Sequence, residues 1–146
     1  MSATLAPAAP DLGAPNVALA RRWFDAMNAG DLDAVHDLFA PDYRLVFPDV
    51  PADARGPEVI RALVAGYREA FPDLTFTVDD TLADGDRVLV RWTVTGANTG
   101  PIMGAPATGR RARWTGMSLL RMRDGRIVED WVETDRLTML QQLGIA

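Results

Sequence analysis

The chain has no cysteine and a single histidine, His36, among its 146 residues. The first absence removes disulfides, thiolate nucleophiles and sulfur-ligated metals together. The second leaves too few imidazoles for a histidine-rich zinc site, so no metal is expected. His36 lies between Asp33 and Asp37 on what the pattern reads as the wet side of a short helix, a surface position rather than a catalytic one. No apolar run approaches the roughly 20 residues of a membrane-spanning helix. The opening MSATLAPAAPDLGAP lacks the basic start and the continuous apolar stretch of a secretory leader. A cytoplasmic protein without a membrane partner is the expectation. The 15 basic residues are scattered and the net charge is -5, which argues against nucleic acid as a partner. Gly96, Gly100, Gly104 and Gly109 do not make a dinucleotide or phosphate-loop motif, and Ser118 has no G-x-S-x-G context. Nucleotide binding and serine hydrolysis are thereby set aside.

What is present is enough for one core: 48% of the residues are hydrophobic, in a length typical of a single domain. The Ala- and Pro-rich residues 1–15 read as a disordered tail, with one domain over 16–146. Val17, Ala20, Phe24 and Met27 recur at helical spacing, with Trp23 widening the apolar face, until Asn28-Ala29-Gly30 ends the run. Asp31 can cap a second, short helix whose Leu32, Val35, Leu38 and Phe39 face inward before Pro41 stops it. Tyr43 to Phe47 reads as a short strand, and Pro57 suits the first turn of a third helix bearing Ile60, Leu63, Val64, Tyr67 and Phe71. After Pro72 the period changes from helix to strand. Leu74, Phe76 and Val78 alternate with polar residues, Asp84-Gly85-Asp86 turns the chain, and Arg87 to Thr95 returns. A Gly/Pro-rich loop over 96–109 is long enough to serve as a lid or binding loop. A strand from Arg111 to Arg123, an Asp124-Gly125 turn and a closing strand follow. Helices segregated from strands in this order predict an α+β fold, with helices covering one face of a curved sheet.

Regular alternation in the closing strand puts Ile127, Glu129, Trp131, Glu133 and Asp135 in one row and Val128, Asp130, Val132 and Thr134 in the other. The first row begins apolar and ends acidic, which suggests a pocket floor where apolar surroundings favour the protonated carboxyl. Glu133 and Asp135 are accordingly the candidate acid/base pair, and Trp131 their apolar wall. The competing reading makes Asp135 the cap of a terminal helix and Glu133 an exposed strand residue. Arg91 is either an oxyanion-stabilising partner of these acids or a structural ion-pair member on the outer face. Asn98 is either a donor to a substrate carbonyl or a turn residue. Trp114, Phe47 and Tyr67 are candidates for stacking against a flat hydrophobic substrate, with core packing the alternative.

Five segments taken together carry a resemblance: AGDLDAVHDLFAPDY (29–43), AFPDL (70–74), GDRVLVRWTVTGANTG (85–100), ATGRR (107–111) and DGRIVEDWVETDRLTMLQQLG (124–144). Their order and spacing resemble the SnoaL-like polyketide cyclases, or ester cyclases, of the nuclear transport factor 2-like superfamily. The resemblance implies a cone of helices over a bent antiparallel sheet, a deep pocket and, commonly, a homodimer through the sheet's outer face. It also implies a cofactor-free intramolecular aldol closure driven by an aspartate late in the chain. Asp135 is the nearest match for that residue, and Glu133 the second. The chain departs from the pattern where members often carry histidine: Val46-Phe47-Pro48 and Ala97-Asn98-Thr99-Gly100 stand there. Trp23-Phe24 also replaces an aromatic pair that often ends in tyrosine. The alternative functions are a small-molecule binding protein without catalysis, or an isomerase or dehydratase using the same base.

Overall fold

The computed structural model describes residues 12–146. Most of the expected tail, residues 1–11, falls outside that range. The first helix begins earlier than its apolar period indicates: α1 spans Gly13–Ala29 and buries Leu19, Ala20, Trp23, Phe24 and Met27. It ends at Gly30, whose φ of 72° is left-handed and costs a glycine little. A 3₁₀ turn (Leu32–Ala34) leads into the four-residue α2 (Val35–Leu38). Phe39 is not the end of that helix but the first residue of β1 (Phe39–Val46). The strand carries Pro41 because it lies on a sheet edge and its register slips between Phe39 and Arg44, so no ladder donor is required there.

Pro57 opens α3 (Pro57–Ala70), as its fixed φ favours. The remaining strands are β2 (Thr75–Asp84), β3 (Arg87–Ala97), β4 (Arg111–Arg123) and β5 (Arg126–Thr134), followed by α4 (Arg136–Leu143). The sheet order is β1-β5-β4-β3-β2. Three of its four pairings are antiparallel, but β1 runs parallel to β5, so the sheet is mixed rather than antiparallel as expected. The parallel pair arises because β1, reached through the helices, is joined to the last strand only by a long crossover.

One sheet face is apolar and covered. Val88, Val90, Trp92 and Val94 of β3 and Ala112, Trp114, Leu120 and Met122 of β4 are buried there. Helix α1 packs over β2 and β3, α3 over β1, and α4 against β4.

The alternation in β5 is broken once. Arg121 of β4 stands opposite Glu129 and Met122 opposite Ile127, so Val128 is an extra residue with no partner. Such a bulge moves every later side chain to the other face. Ile127 is buried, as the sequence predicts, but past the bulge the inward residues are Asp130, Val132 and Thr134. Glu129, Trp131 and Glu133 turn outward.

Cross-strand packing fixes the wall of the resulting cavity. Gly116 stands opposite Trp92, whose indole Nε1 donates to the Ser118 hydroxyl at 3.0 Å. A Cβ at residue 116 would overlap the Trp92 six-membered ring and lie 2.8 Å from the Glu133 carbonyl oxygen. The Gly116→Ala variant is expected to lose about 1–3 kcal/mol of stability, as overpacked cores do, read as a lower urea midpoint. An unchanged midpoint would show that this close approach is not a constraint.

Candidate active site

Between the helices and the buried sheet face lies a chamber of about 630 Å³, including the part that opens to solvent. Trp23 from α1, Phe76 from β2, Trp92 from β3 and Trp114 from β4 supply its aromatic wall, while Ile60 and Val64 close it from α3. These rings contact one another: Phe76 meets Trp92 edge-on with centroids 5.4 Å apart. An apolar cavity of this kind suits a flat hydrophobic molecule.

Few polar groups reach it. Ser118 is engaged by Trp92, and Thr134 Oγ1 donates to the Thr115 carbonyl at 3.3 Å. The one carboxylate among the lining residues is Asp130. It is 2% exposed, with Leu120 on β4 and Leu45 on β1 beside it in register. The Tyr43 hydroxyl donates to Oδ2 over a long 3.4 Å, and Oδ1 has no hydrogen-bond partner. Burial raises the Asp130 carboxyl to about 7, because the charged form loses its hydration; the tyrosine bond opposes the rise. The same burial, with the neighbouring carboxylate, lifts the Tyr43 hydroxyl well above its ordinary range and keeps it a neutral donor. A carboxyl that exchanges its proton near neutrality, with one oxygen free beside an apolar cavity, is suited to general acid/base work.

The sequence-derived candidates are distributed differently from that expectation. Asp135 is not at the floor: it caps α4, accepting from the Thr138 amide at 3.1 Å and the Thr138 hydroxyl at 2.6 Å. Those bonds hold its carboxyl below the usual range. Glu133 is exposed on the outer face opposite Met117, and Trp131 is 47% exposed opposite Leu119. The Val128 bulge is the reason for both outward placements. Arg91 also lies on the outer face, 3.9 Å from Asp79, in the same cross-strand row as Glu133 and on the opposite side of the sheet from Asp130.

Asn98 is fully buried and holds the 96–109 loop together. Its amide donates to the carbonyls of Ala70 and Gly100, and its oxygen accepts from the Thr108 amide and hydroxyl. With both ends engaged it has no donor left for a ligand.

Three candidates do line the chamber: Trp114, Phe47 and Tyr67. Asp130 and Tyr43 are the additions. The signal for Asp130 in the sequence was one acid in a row of valines, Val128, Asp130 and Val132, an odd composition for a solvated face; Tyr43 carried none. Among the described residues no helix is long and apolar enough to cross a membrane, and no cluster of metal-ligating side chains occurs.

A family model described as SnoaL-like polyketide cyclase matches residues 17–143. The aklanonic acid methyl ester cyclase DauD of Streptomyces sp. (strain C5) is 31% identical over 136 residues, covering 89% of this chain and 82% of that protein. TsrD from Streptomyces laurentii shares the fold with a TM-score of 0.82 at 33% identity, over 91% of this chain and 97% of that one. AclR from Streptomyces galilaeus, described as a candidate hydroxylase, gives 0.81 at 32% identity, over 91% and 87%. Helices over a mixed sheet, an aromatic chamber between them and similarity along nearly the whole described fold place the chain in the nuclear transport factor 2-like superfamily, as a cyclase-like member of the SnoaL-like polyketide cyclase family.

Proposed function

We propose that the protein closes a ring in a flat, enolisable polycarbonyl substrate by an intramolecular aldol reaction, with Asp130 as the base. The observation that carries this reading is the Asp130 carboxyl, buried at the apolar chamber with Oδ1 unbonded, where burial pushes its pKa up to about 7. In the ionised state Oδ1 takes a proton from carbon between two carbonyl groups. The resulting carbanion forms a carbon–carbon bond to a carbonyl carbon of the same molecule as that C=O π bond breaks. The alkoxide then recovers the proton from the Asp130 carboxylic acid, so atoms and electrons balance without a redox partner. Carbon acids flanked by carbonyls are already activated, and one positioned base suffices for them. Tyr43 engages Oδ2, and Oδ1 is the carboxyl oxygen that no protein group occupies. The relatives' name makes aklanonic acid methyl ester the first substrate to try.

The outer sheet face supports a homodimer. Leu82, Leu89, Leu119 and Trp131 stand opposite one another across four neighbouring strands; Leu82, Leu119 and Trp131 are exposed and Leu89 is half-buried. Arg121 and Glu129, 3.7 Å apart, flank this apolar stripe on one side, and Arg91 and Glu133 on the other. A stripe with charges of both signs at its edges is self-complementary under a two-fold axis.

Asp130→Asn is expected to lower kcat by about 10²–10⁴-fold, whereas Asp135→Asn and Glu133→Gln stay near wild type; full activity in Asp130→Asn would remove the mechanism. The acidic limb of wild-type kcat/KM should fall near pH 7, following the carboxyl's raised value.

Stability should move the other way. Because the folded-state value is above the unfolded one, ionising Asp130 weakens the fold as pH climbs from the ordinary 3.8 through about 7. Asp130→Asn is therefore expected to be more stable than wild type at pH 8, by up to a few kcal/mol, with the gap closing toward pH 4. Urea denaturation at both pH values reads this out.

Light scattering should give a dimer for the wild type and a monomer for Leu119→Arg and Trp131→Glu. A monomeric wild type would sink the dimer.

A further inference from the structure

Two buried side-chain atoms among the described residues lack a hydrogen-bond partner: Asp130 Oδ1 and Arg136 Nε. The second belongs to a different compartment. An outer chamber of about 960 Å³, open to solvent, is lined by Arg136, Asp49 and Glu69, and by the loop at Ile102 and Met103. Phe47, Leu63 and Tyr67 line both chambers, so the two share a wall at their junction. Arg136 sits at that junction, its guanidinium carbon 5.5 Å from the centre of the Phe47 ring and its Nη1 3.1 Å from an Asp49 oxygen. Burial raises the Tyr67 hydroxyl, and the adjoining Arg136 guanidinium opposes the rise.

We propose that Arg136 is a specificity-determining residue whose Nε–H binds a neutral carbonyl oxygen, an ester carbonyl, at the end of the substrate that remains in the outer chamber. This rests on the reading of the inner chamber as the substrate site. Buried donors are satisfied by protein, water or ligand in nearly all proteins, and an unmade bond here is costly. The cation–π contact, the Asp49 pair and the Tyr67 hydroxyl, which the guanidinium is also close enough to hydrogen-bond, hold the guanidinium plane in place, and Nε is the donor left without an acceptor. The charge balance selects the acceptor. Arg136 contributes one positive charge to the outer chamber, and Asp49 and Glu69 contribute two negative ones. A carboxylate entering there meets repulsion from both acids, whereas an ester carbonyl gains the hydrogen bond without it.

The test uses binding, independent of turnover. The probes are methyl anthraquinone-2-carboxylate, the free anthraquinone-2-carboxylate and unsubstituted anthraquinone, followed by quenching of Trp23, Trp92 and Trp114 fluorescence. The wild type is expected to bind the ester about tenfold more tightly than anthraquinone, the effect of one charge-assisted hydrogen bond, and more tightly than the free acid. Arg136→Met should abolish the ester's advantage while anthraquinone affinity changes less than about twofold. Asp49→Asn, at an exposed position, should raise affinity for the free acid and narrow the ester-over-acid ratio by several-fold. An ester advantage that survives Arg136→Met, or an acid affinity unmoved in Asp49→Asn, overturns the assignment. Equal binding of all three probes to the wild type overturns it while leaving the inner chamber's role intact. Failure of all three to quench overturns both readings together.

Discussion

The unpaired Val128 in β5 is the constraint on which the site depends. With it, Ile127 and Asp130 both point toward the helices; without it, Asp130 would share a face with the solvent-exposed arginines and Trp131 would occupy the chamber. The bulge thus does two things at once. It carries a carboxylate into an apolar cavity and leaves an aromatic ring on the outside, where a stripe of leucines continues across β4, β3 and β2. Candidate active-site chamber and candidate dimer face are two consequences of one inserted residue.

Placing that carboxylate inside is unfavourable for the fold. Leu45 and Leu120 beside Asp130 offer no hydrogen bond, and the Tyr43 contact at 3.4 Å is too long to offset the lost hydration. The surrounding ring and aliphatic packing, from Trp23 and Phe39 to Leu120 and Ile127, supplies the stability that tolerates it. A destabilised acid kept in place by an otherwise apolar core is the arrangement expected when a group is retained for reactivity rather than for folding.

The two chambers divide the recognition problem. The inner one is almost wholly aromatic and aliphatic and, in the proposed reading, would discriminate by shape; the outer one carries the charges and would discriminate by polarity. Phe47 and Tyr67, drawn from β1's exit and from α3, lie at the boundary. Asn98 is occupied entirely with folding the 96–109 loop and offers nothing to a ligand. The proposed acid/base equipment is the Asp130–Tyr43 pair, on a fold whose other members with about a third identity include proteins named for different reactions.

Most of the fold was legible from local patterns. The 3.6-residue spacing of α1 and α3, the Pro57 start, the Asp84–Asp86 turn and the period-two strands after Pro72 are set by nearby residues, and so is the capping of α4 by Asp135. The chamber's Trp114, Phe47 and Tyr67 were also within reach, because large apolar side chains face inward wherever a sheet face is covered. The mixed sheet, the inward Asp130 and the free Arg136 Nε were not. The parallel pairing of β1 with β5 joins residues 85 to 88 apart in the chain, and the Val128 bulge exists only in the register between β4 and β5. Sequence alone determined which segments become helix or strand and which stretches are apolar, since those depend on neighbours along the chain. The tertiary structure decided which carboxylate is buried, since the face a strand residue takes is fixed by its partner strand and one unpaired residue reverses it.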